Sequence, residues 1–465
     1  MIPFTRVEAR DFHTLFTRCM AGRPRGPAPP VLIHFRAGTR TLCCTTNEGV
    51  ILMHSSPVED EHDELLVLPG SLLVEVEGST DEGVKLDRQS KLRGALHCHT
   101  GEKPRKLPVE LILPGKQHEI PAPPEFLAVS PELLAALHEC GRSAAKESGR
   151  YALSKIQLQG RAGRLVGTDG KLALLATGFK FPFTDDILVP ALPVFGSKPL
   201  LRAKEVRVGR TSTHLVIAAG PWSVWLPFDS KARYPDVIPL IPRQPPTVAQ
   251  LDHNDVVELL KVLSGLPGKD DEDSPVTIDL GGTVKIRGRD EKTQATQEVW
   301  LAHSTVCGPA QHFAFNRRIL ARALSLGCRI LKVTPEKPLV AESEHFCVIA
   351  LALDSGLIVP PLVEARRSSP IVALPTTPTT LAHPTPPLQR SIDMPPPDTN
   401  GHTPPRGDPP DPLFAAEELR DALADATTKA ARLVAALRQS KKEKKVLSAV
   451  LTNLKQLNLG MGGPP

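Results

Sequence analysis

Aromatic residues are scarce in this chain of 465 residues, where they make up 4% of the sequence. Hydrophobic residues still reach 41%, so any core must be mainly aliphatic. There is no uninterrupted apolar run long enough for a membrane helix, and the first residues carry charges where a secretion signal needs an apolar segment. The eight cysteines form no regular framework. These absences predict a cytoplasmic protein with reduced thiols and no membrane partner.

Motifs of common enzyme active sites are lacking as well. The chain has no G-x-S-x-G, no P-loop lysine and no dinucleotide-binding glycine fingerprint. The stretch HTGEKP (99–104) matches a linker between zinc fingers, but no cysteine pair precedes it at the spacing that a finger needs. Acidic runs at 185–186 and 270–273 fit solvated loops. We therefore predict no catalytic residues, no metal and no cofactor. The net charge of +5 permits nucleic-acid binding without requiring it.

The strongest positive signal is an internal repeat. Val7, Val129 and Leu251 are spaced by 122 residues, and each precedes a polar stretch and an amphipathic helix. Two β-rich runs about a glycine turn follow each helix. A second helix-like stretch then comes at 65–76, 187–195 and 316–326, and further strands close each block.

Proline clusters near Glu125 and Pro245 separate the blocks. We therefore predict an α+β fold of three domains of one type, residues 1–125, 126–245 and 246–360, with helices in one layer and antiparallel sheets in the other. These domains are called the first, second and third repeats below.

The last hundred residues have a different composition. Residues 361–412 are rich in proline, serine and threonine, which predicts a disordered linker. Residues 413–459 contain neither glycine nor proline, which predicts a helix. Its apolar residues follow the alternating steps of four and three that are typical of a coiled coil: Leu419, Leu423, Ala426, Ala430, Leu433, Leu437, Leu447, Leu451 and Leu454. Pairing with another helix and docking on its own protein both remain open, and the pattern favours pairing.

Four short motifs occur in order along the repeats. Residues 150–173 predict a β-hairpin followed by a tight turn at Thr168-Asp169-Gly170. Tyr234-Pro235-Asp236 follows, then HFAFNRRIL (312–320), then VIALAL (348–353). In this order and on a threefold repeat, the motifs resemble the bacterial sliding clamp, the beta subunit of DNA polymerase III, over residues 1 to about 353. The chain departs from that family where His-Arg-Leu becomes Lys171-Leu172-Ala173 and where Met-Pro-Met becomes Ala350-Leu351-Ala352.

The resemblance implies a homodimeric ring with its helices inside and its sheets outside. Such a ring encircles double-stranded DNA without chemistry of its own and tethers partners such as DNA polymerase and the clamp loader. The alternative is a clamp-derived interaction scaffold that keeps the fold, does not encircle DNA and acts through the C-terminal coiled coil. The altered motif residues and the long C-terminal addition favour this alternative, whereas the intact repeats favour the ring.

Two sets of candidate residues follow from the resemblance. The cations expected to face DNA are Arg18, Arg23, Arg142, Lys146, Lys198, Lys261, Arg317, Arg318 and Arg322. The residues expected to line a groove for partner peptides are Leu153, Thr168, Gly170, Lys171, Leu172, Pro235, Val237, Val348 and Ala350.

The heptad pattern is testable on a peptide of residues 413–460. We expect the peptide to be helical by circular dichroism and dimeric by sedimentation, because soluble proteins seldom leave a long apolar stripe uncovered. A peptide that stays unfolded alone would exclude self-pairing and leave a partner helix as the occupant of the stripe.

Overall fold

The computed structural model of the protein describes residues 2–20, 27–59, 63–100, 103–147, 149 and 151–361. These residues belong to one compact unit. Apart from Pro361, the predicted linker and the predicted coiled-coil helix lie outside the described residues. Within the described part of the chain, no helix is long and apolar enough to cross a membrane.

The first repeat combines eight strands with two helices. Its strands are β1 (Phe4–Thr5), β2 (Val31–Arg36), β3 (Thr39–Thr45), β4 (Ile51–Pro57), β5 (Glu64–Leu68), β6 (Gly83–Arg88), β7 (Arg93–Thr100) and β8 (Lys103–Glu110). Its helices are α1 (Arg6–Arg18) and α2 (Ser71–Val76). A capping box begins α1: the Thr5 hydroxyl accepts the N–H of Glu8, and the Glu8 carboxylate accepts the N–H of Thr5.

The second repeat follows the same plan. Its strands are β9 (Phe126–Val129), β10 (Lys155–Gln159), β11 (Arg164–Thr168), β12 (Leu172–Thr177), β13 (Asp186–Pro190), β14 (Val206–Arg210), β15 (His214–Ala219) and β16 (Trp222–Pro227). Its helices are α3 (Glu132–Ser143), α4 (Lys198–Leu201) and a 3-10 turn (Pro193–Gly196). The predicted hairpin and tight turn are confirmed, since Gly170 has a φ of +93° between β11 and β12.

The third repeat adds one short strand to the plan. Its strands are β17 (Thr247–Gln250), β18 (Pro275–Gly281), β19 (Thr283–Arg289), β20 (Thr296–Leu301), β21 (Thr305–Cys307), β22 (His312–Asn316), β23 (Ile330–Val333), β24 (Leu339–Glu342) and β25 (Phe346–Ala350). Its helices are α5 (His253–Leu263) and α6 (Arg317–Ser325). Asn316 caps α6, since its side chain accepts the N–H groups of Arg318 and Ile319.

The second helix of the first two repeats is shorter than predicted. Residues 64–68 form β5, so the helix predicted over 65–76 is confirmed only from Ser71 to Val76. Residues 186–190 form β13, so the helix predicted over 187–195 is wrong except where it overlaps the 3-10 turn Pro193–Gly196. A short apolar run fits a buried strand as well as a helix, and periodicity alone does not separate them. Here both runs pair with a neighbouring strand, β5 with β2 and β13 with β10.

Strand pairing repeats in the same order three times. The first group is β1-β6-β7-β8 in the first repeat, β9-β14-β15-β16 in the second and β17-β23-β24-β25 in the third. The second group is β5-β2-β3-β4, then β13-β10-β11-β12, then β22-β18-β19-β20. The three repeats are therefore copies of one topology.

Equivalent strands join successive repeats. β4 pairs with β16 of the second repeat, from Ile51 opposite Trp225 to His54 opposite Trp222. β12 pairs with β25 of the third repeat. These junctions create continuous sheets of eight and nine strands that cross from one repeat to the next.

The helices of the described residues pack on the same side of the sheets. Their apolar faces, with Phe12, Leu137, Leu259 and Leu320 as examples, share one core cluster with the inward strand residues. Gly167 on β11 permits the approach of α3, because a side chain there would meet the carbonyl oxygen of Cys140 at 2.0 Å. The predicted architecture of a helix layer against antiparallel sheets is confirmed.

The opposite sheet face, called the outer face here, carries smaller apolar clusters under two connectors. The first connector (111–125) places Ile120 against the cluster that contains Met53 and Trp225. The second connector (228–246) places Val237 against the cluster that contains Ile349. Each connector starts at an equivalent strand and runs over the outer face into the next repeat.

Candidate functional site

A row of buried side chains crosses the outer face at the junction of the second and third repeats. Thr168 lies opposite Ala173, Ala173 opposite Ile349, and Ile349 opposite Val340, on β11, β12, β25 and β24. Residues directly opposite in an antiparallel sheet point to the same face. Val237 of the second connector packs on the cluster that this row belongs to. We call this row and its surroundings the junction groove.

Most of the predicted groove residues lie around this row. Thr168 is buried, and its hydroxyl donates to the carbonyl of Leu172 at 2.7 Å and accepts the N–H of Gly170 at 3.0 Å. Lys171 is exposed on the same turn, and Leu153 is half-buried. Pro235 lines a neighbouring cavity of ≈ 380 Å³ together with Tyr234 and Arg164.

Three predicted groove residues face the other way. Leu172, Val348 and Ala350 pack into the core on the helix side. Side chains alternate between faces along a strand, so an error of one residue in register selects the wrong face. The residues on the groove side are Ala173 and Ile349, and the next residue in this alternation, Leu351, is 53% exposed. Residues 348–351 show no alternation of polarity, so the sequence carried no signal for which of them face the groove.

A tyrosine fixes the second connector over the groove. The Tyr234 hydroxyl donates to the carbonyl of Val166 at 3.0 Å and to that of Lys155 at 3.3 Å. Burial raises the pKa of Tyr234 above its usual range, so the phenol stays protonated and keeps donating. The second connector therefore covers Ala173 and Ile349, and the exposed apolar side chain beside the polar turn is Leu351.

The predicted DNA-facing cations lie on or beside the helices, except for Arg23, which lies outside the described residues. Those with exposed side chains are Arg18, Arg142, Lys146, Lys198, Lys261 and Arg318. Arg18 also donates to the hydroxyl of Ser197 at 3.1 Å, which links α1 to the start of α4. The Arg142 guanidinium lies 3.0 Å from the Glu139 carboxylate, and the Lys261 ammonium lies 2.6 Å from the Glu258 carboxylate. These exposed pairs contribute little to stability and leave the cations accessible.

An Asp–Asp–His cluster at the start of α5 has a structural role. Asp252 caps the helix by accepting the N–H groups of Asn254 and Asp255, and the first of these lowers the pKa of Asp252. The Asp255 carboxylate accepts the N–H of His303 and the hydroxyl of Ser304, and it raises the pKa of the His303 imidazole. The carboxylates already have partners that fix the loop before β21.

Comparison with solved structures identifies the architecture. A DNA polymerase sliding clamp from Pseudomonas aeruginosa, solved with a ligand, is 16% identical, with a TM-score of 0.59 over 75% of this chain and 97% of its own. The beta subunit of DNA polymerase III from Thermotoga maritima is 17% identical, with a TM-score of 0.59 over 76% of this chain and 99% of its own. The described chain has the sliding-clamp fold. No family model matches the sequence, and no curated protein matches it.

Within this clamp fold, Arg317 is an internal residue and not a DNA contact as predicted. It is 3% exposed, and its guanidinium donates to the carbonyls of Leu266, Pro267, Ser274 and Pro275. Burial lowers its pKa. Arg317 therefore ties the start of α6 to the loop before β18. Its side chain turns back into the core from the first position of the helix.

Arg322 also departs from its predicted role. Its Nε donates to the Glu139 carboxylate at 2.8 Å, and a second nitrogen donates to the Glu139 carbonyl. This pair joins α6 of the third repeat to α3 of the second. Burial alone would raise the pKa of the Glu139 carboxyl, but the positive charges of Arg322 and Arg142 together outweigh it and lower that pKa. Arg322 thus serves the clamp fold as a bridge between helices.

Neighbouring arginines allow a matched test of this distinction. Arg317→Ala should lower the free energy of unfolding by about 2–4 kcal/mol, because it leaves buried carbonyls without a donor. Arg318→Ala should change it by less than about 0.5 kcal/mol, since its side chain is exposed. Chemical denaturation and hydrogen exchange of α6 measure both variants. Equal stabilities would contradict the internal role of Arg317.

Proposed function

We propose that the protein acts as a sliding clamp: two copies close head to tail around duplex DNA and hold partner proteins there. The observation that carries this proposal is the pair of strand edges at the ends of the threefold repeat. β4, β12 and β20 occupy the same position in their repeats, as do β8, β16 and β25. β4 pairs with β16 and β12 with β25, whereas β20 and β8 end their sheets within the described chain.

A third junction of the same kind requires a second copy. An open strand edge presents N–H and C=O groups that attract another strand. If β20 of one copy pairs with β8 of the next as β4 pairs with β16, the contact is head to tail and closes into a ring. Two copies with three repeats each form the smallest symmetric ring of this kind. Six helix pairs then face the enclosed space.

The helix layer suits contact with a DNA backbone. A protein that slides must neutralise phosphates without reading bases. The exposed Lys198 and Arg318 belong to this layer and are spread between the second and third repeats. The enclosed space would therefore attract duplex DNA of any sequence.

The junction groove is the proposed site for partner peptides. Apolar side chains of an extended segment, such as the tail of a DNA polymerase or of the clamp loader, would lie against the exposed Leu351, beside Lys171 and at the margin of the connector that covers Ala173 and Ile349. The buried Val237 keeps this surface in place when it is empty. The protein would work where DNA is replicated, in the cytoplasm, and its role is to tether.

Ring closure predicts a dimer in solution. We expect the full chain to sediment as a dimer at micromolar concentration, because pairing of the β8 and β20 edges satisfies backbone groups of both copies. Analytical ultracentrifugation over a dilution series gives the dissociation constant. A protein that remains monomeric throughout would contradict the ring and leave the scaffold alternative.

Charge reversal separates the two faces of the ring. Lys198→Glu with Arg318→Glu should weaken binding to duplex DNA and reduce the slope of log K against log salt by about two, one for each lost phosphate contact. The control is Arg36→Glu with Arg207→Glu, which makes the same charge change on outward positions of β2 and β14. Titration of labelled duplex at several salt concentrations measures both. Equal losses in the two variants would show that the helix layer does not hold DNA.

A further inference from the structure

Residues 351–361, called the strap, continue the chain after the last strand of the third repeat. The strap begins as both connectors do. In the first connector the N–H of Ile112 donates to the carbonyl of Val67 on β5 at 3.0 Å. In the second, Asp229 and Leu188 on β13 exchange two hydrogen bonds of 2.9 Å. In the strap, the N–H of Leu353 donates to the carbonyl of Ala314 on β22 at 2.8 Å.

The likeness extends beyond this first contact. β5, β13 and β22 are equivalent strands of the three repeats. Each of the three segments then forms a 3-10 turn, at Lys116–His118, Ile238–Leu240 and Ser355–Leu357. The strap is therefore a third copy of the interdomain connector, in a chain whose described part contains no fourth repeat to receive it.

A buried ionic cluster holds the strap on the third repeat. The N–H of Val359 donates to the Thr277 hydroxyl at 2.7 Å, and Arg287 donates to the Val359 carbonyl at 3.2 Å. Arg287 is 1% exposed and also pairs with Asp279 on β18 and Glu298 on β20. Removing the strap would leave one hydrogen-bond donor of this buried guanidinium without its partner.

The order of these contacts gives the strap a direction. The sheet runs β20-β19-β18-β22, and the strap contacts first Ala314 on β22, then Thr277 on β18 and Arg287 on β19. The next strand in this order is β20, which ends the sheet within the described part of the chain. Strands are about 4.8 Å apart, and two extended residues span about 7 Å. Pro360 and Pro361 can thus carry the chain from Val359, which is held at β18 and β19, across one strand spacing toward β20.

We propose that the strap is an intersubunit connector, whose end at Pro361 meets the first repeat of a second copy where β20 pairs with β8 and holds that junction from outside. The first two connectors make the same crossing within the chain. The first contacts β5 and leads into β9, and the second contacts β13 and leads into β17. The occupant of the strap's far end is therefore a second copy of this chain. This inference rests on the proposed ring, and it adds a contact outside the paired edges.

Cross-linking in the full-length protein tests the strap. A photoreactive benzoylphenylalanine replaces Pro360 in one variant and, as the matched control, Ser355 in another; both positions are exposed. Irradiation of the 360 variant should produce a cross-linked dimer whose peptides map to β6–β8 of the second copy. The 355 variant should produce no such dimer, because its 3-10 turn follows the contact with β22.

A point substitution then tests the anchor. Val359 is 5% exposed, and Val359→Asp in the 360 variant should abolish the cross-linked dimer. The same substitution alone should raise the dimer dissociation constant about tenfold. If the wild type is dimeric but position 360 cross-links only within its own chain, the strap inference falls and the ring stands. If the wild type is monomeric, the ring falls and the strap inference falls with it.

Discussion

Backbone hydrogen bonding at strand edges is the constraint on which this structure depends. A buried or half-buried strand must pair on both sides or end its sheet where the open edge is tolerated. The chain meets this requirement twice by pairing the last strand of one four-strand group with the last strand of another. The repeats are joined through main-chain contacts that are independent of side-chain identity. This explains how a clamp fold persists at 16% identity to a solved clamp.

Side chains then assign a role to each face of the sheets. The helix side holds one continuous aliphatic core, in which aromatic residues such as Phe12 and Phe315 are few. The outer side holds smaller clusters that exist only because a connector covers them. Two arginines join separate segments of the chain. Arg322 joins α6 of the third repeat to α3 of the second, and Arg287 joins β18 and β20 to the strap. A buried and a half-buried arginine thus bridge segments that are distant in sequence.

The sequence predicted the repeat, the hairpin at Thr168-Asp169-Gly170 and the helix after Asn316, because each depends on local patterns that survive in a single chain. It did not locate the groove side of β25, where neighbouring residues are all aliphatic and carry no alternation of polarity. Arg317 was also beyond sequence reasoning, since an arginine at a helix start looks the same whether it points to solvent or into the core. The sequence did not predict the strap, because residues 351–361 can be recognised as a connector only by comparing their contacts with those of the other two connectors.

The repeats follow one another with every junction made in the same strand order. A ring generated by rotating one unit about a single axis has two inequivalent faces, because no symmetry operation of the ring exchanges them. A closed assembly of this chain, as proposed above, would inherit that polarity along the axis of its ring. Every groove would then face the same way, and any protein bound there would share a heading with its neighbour.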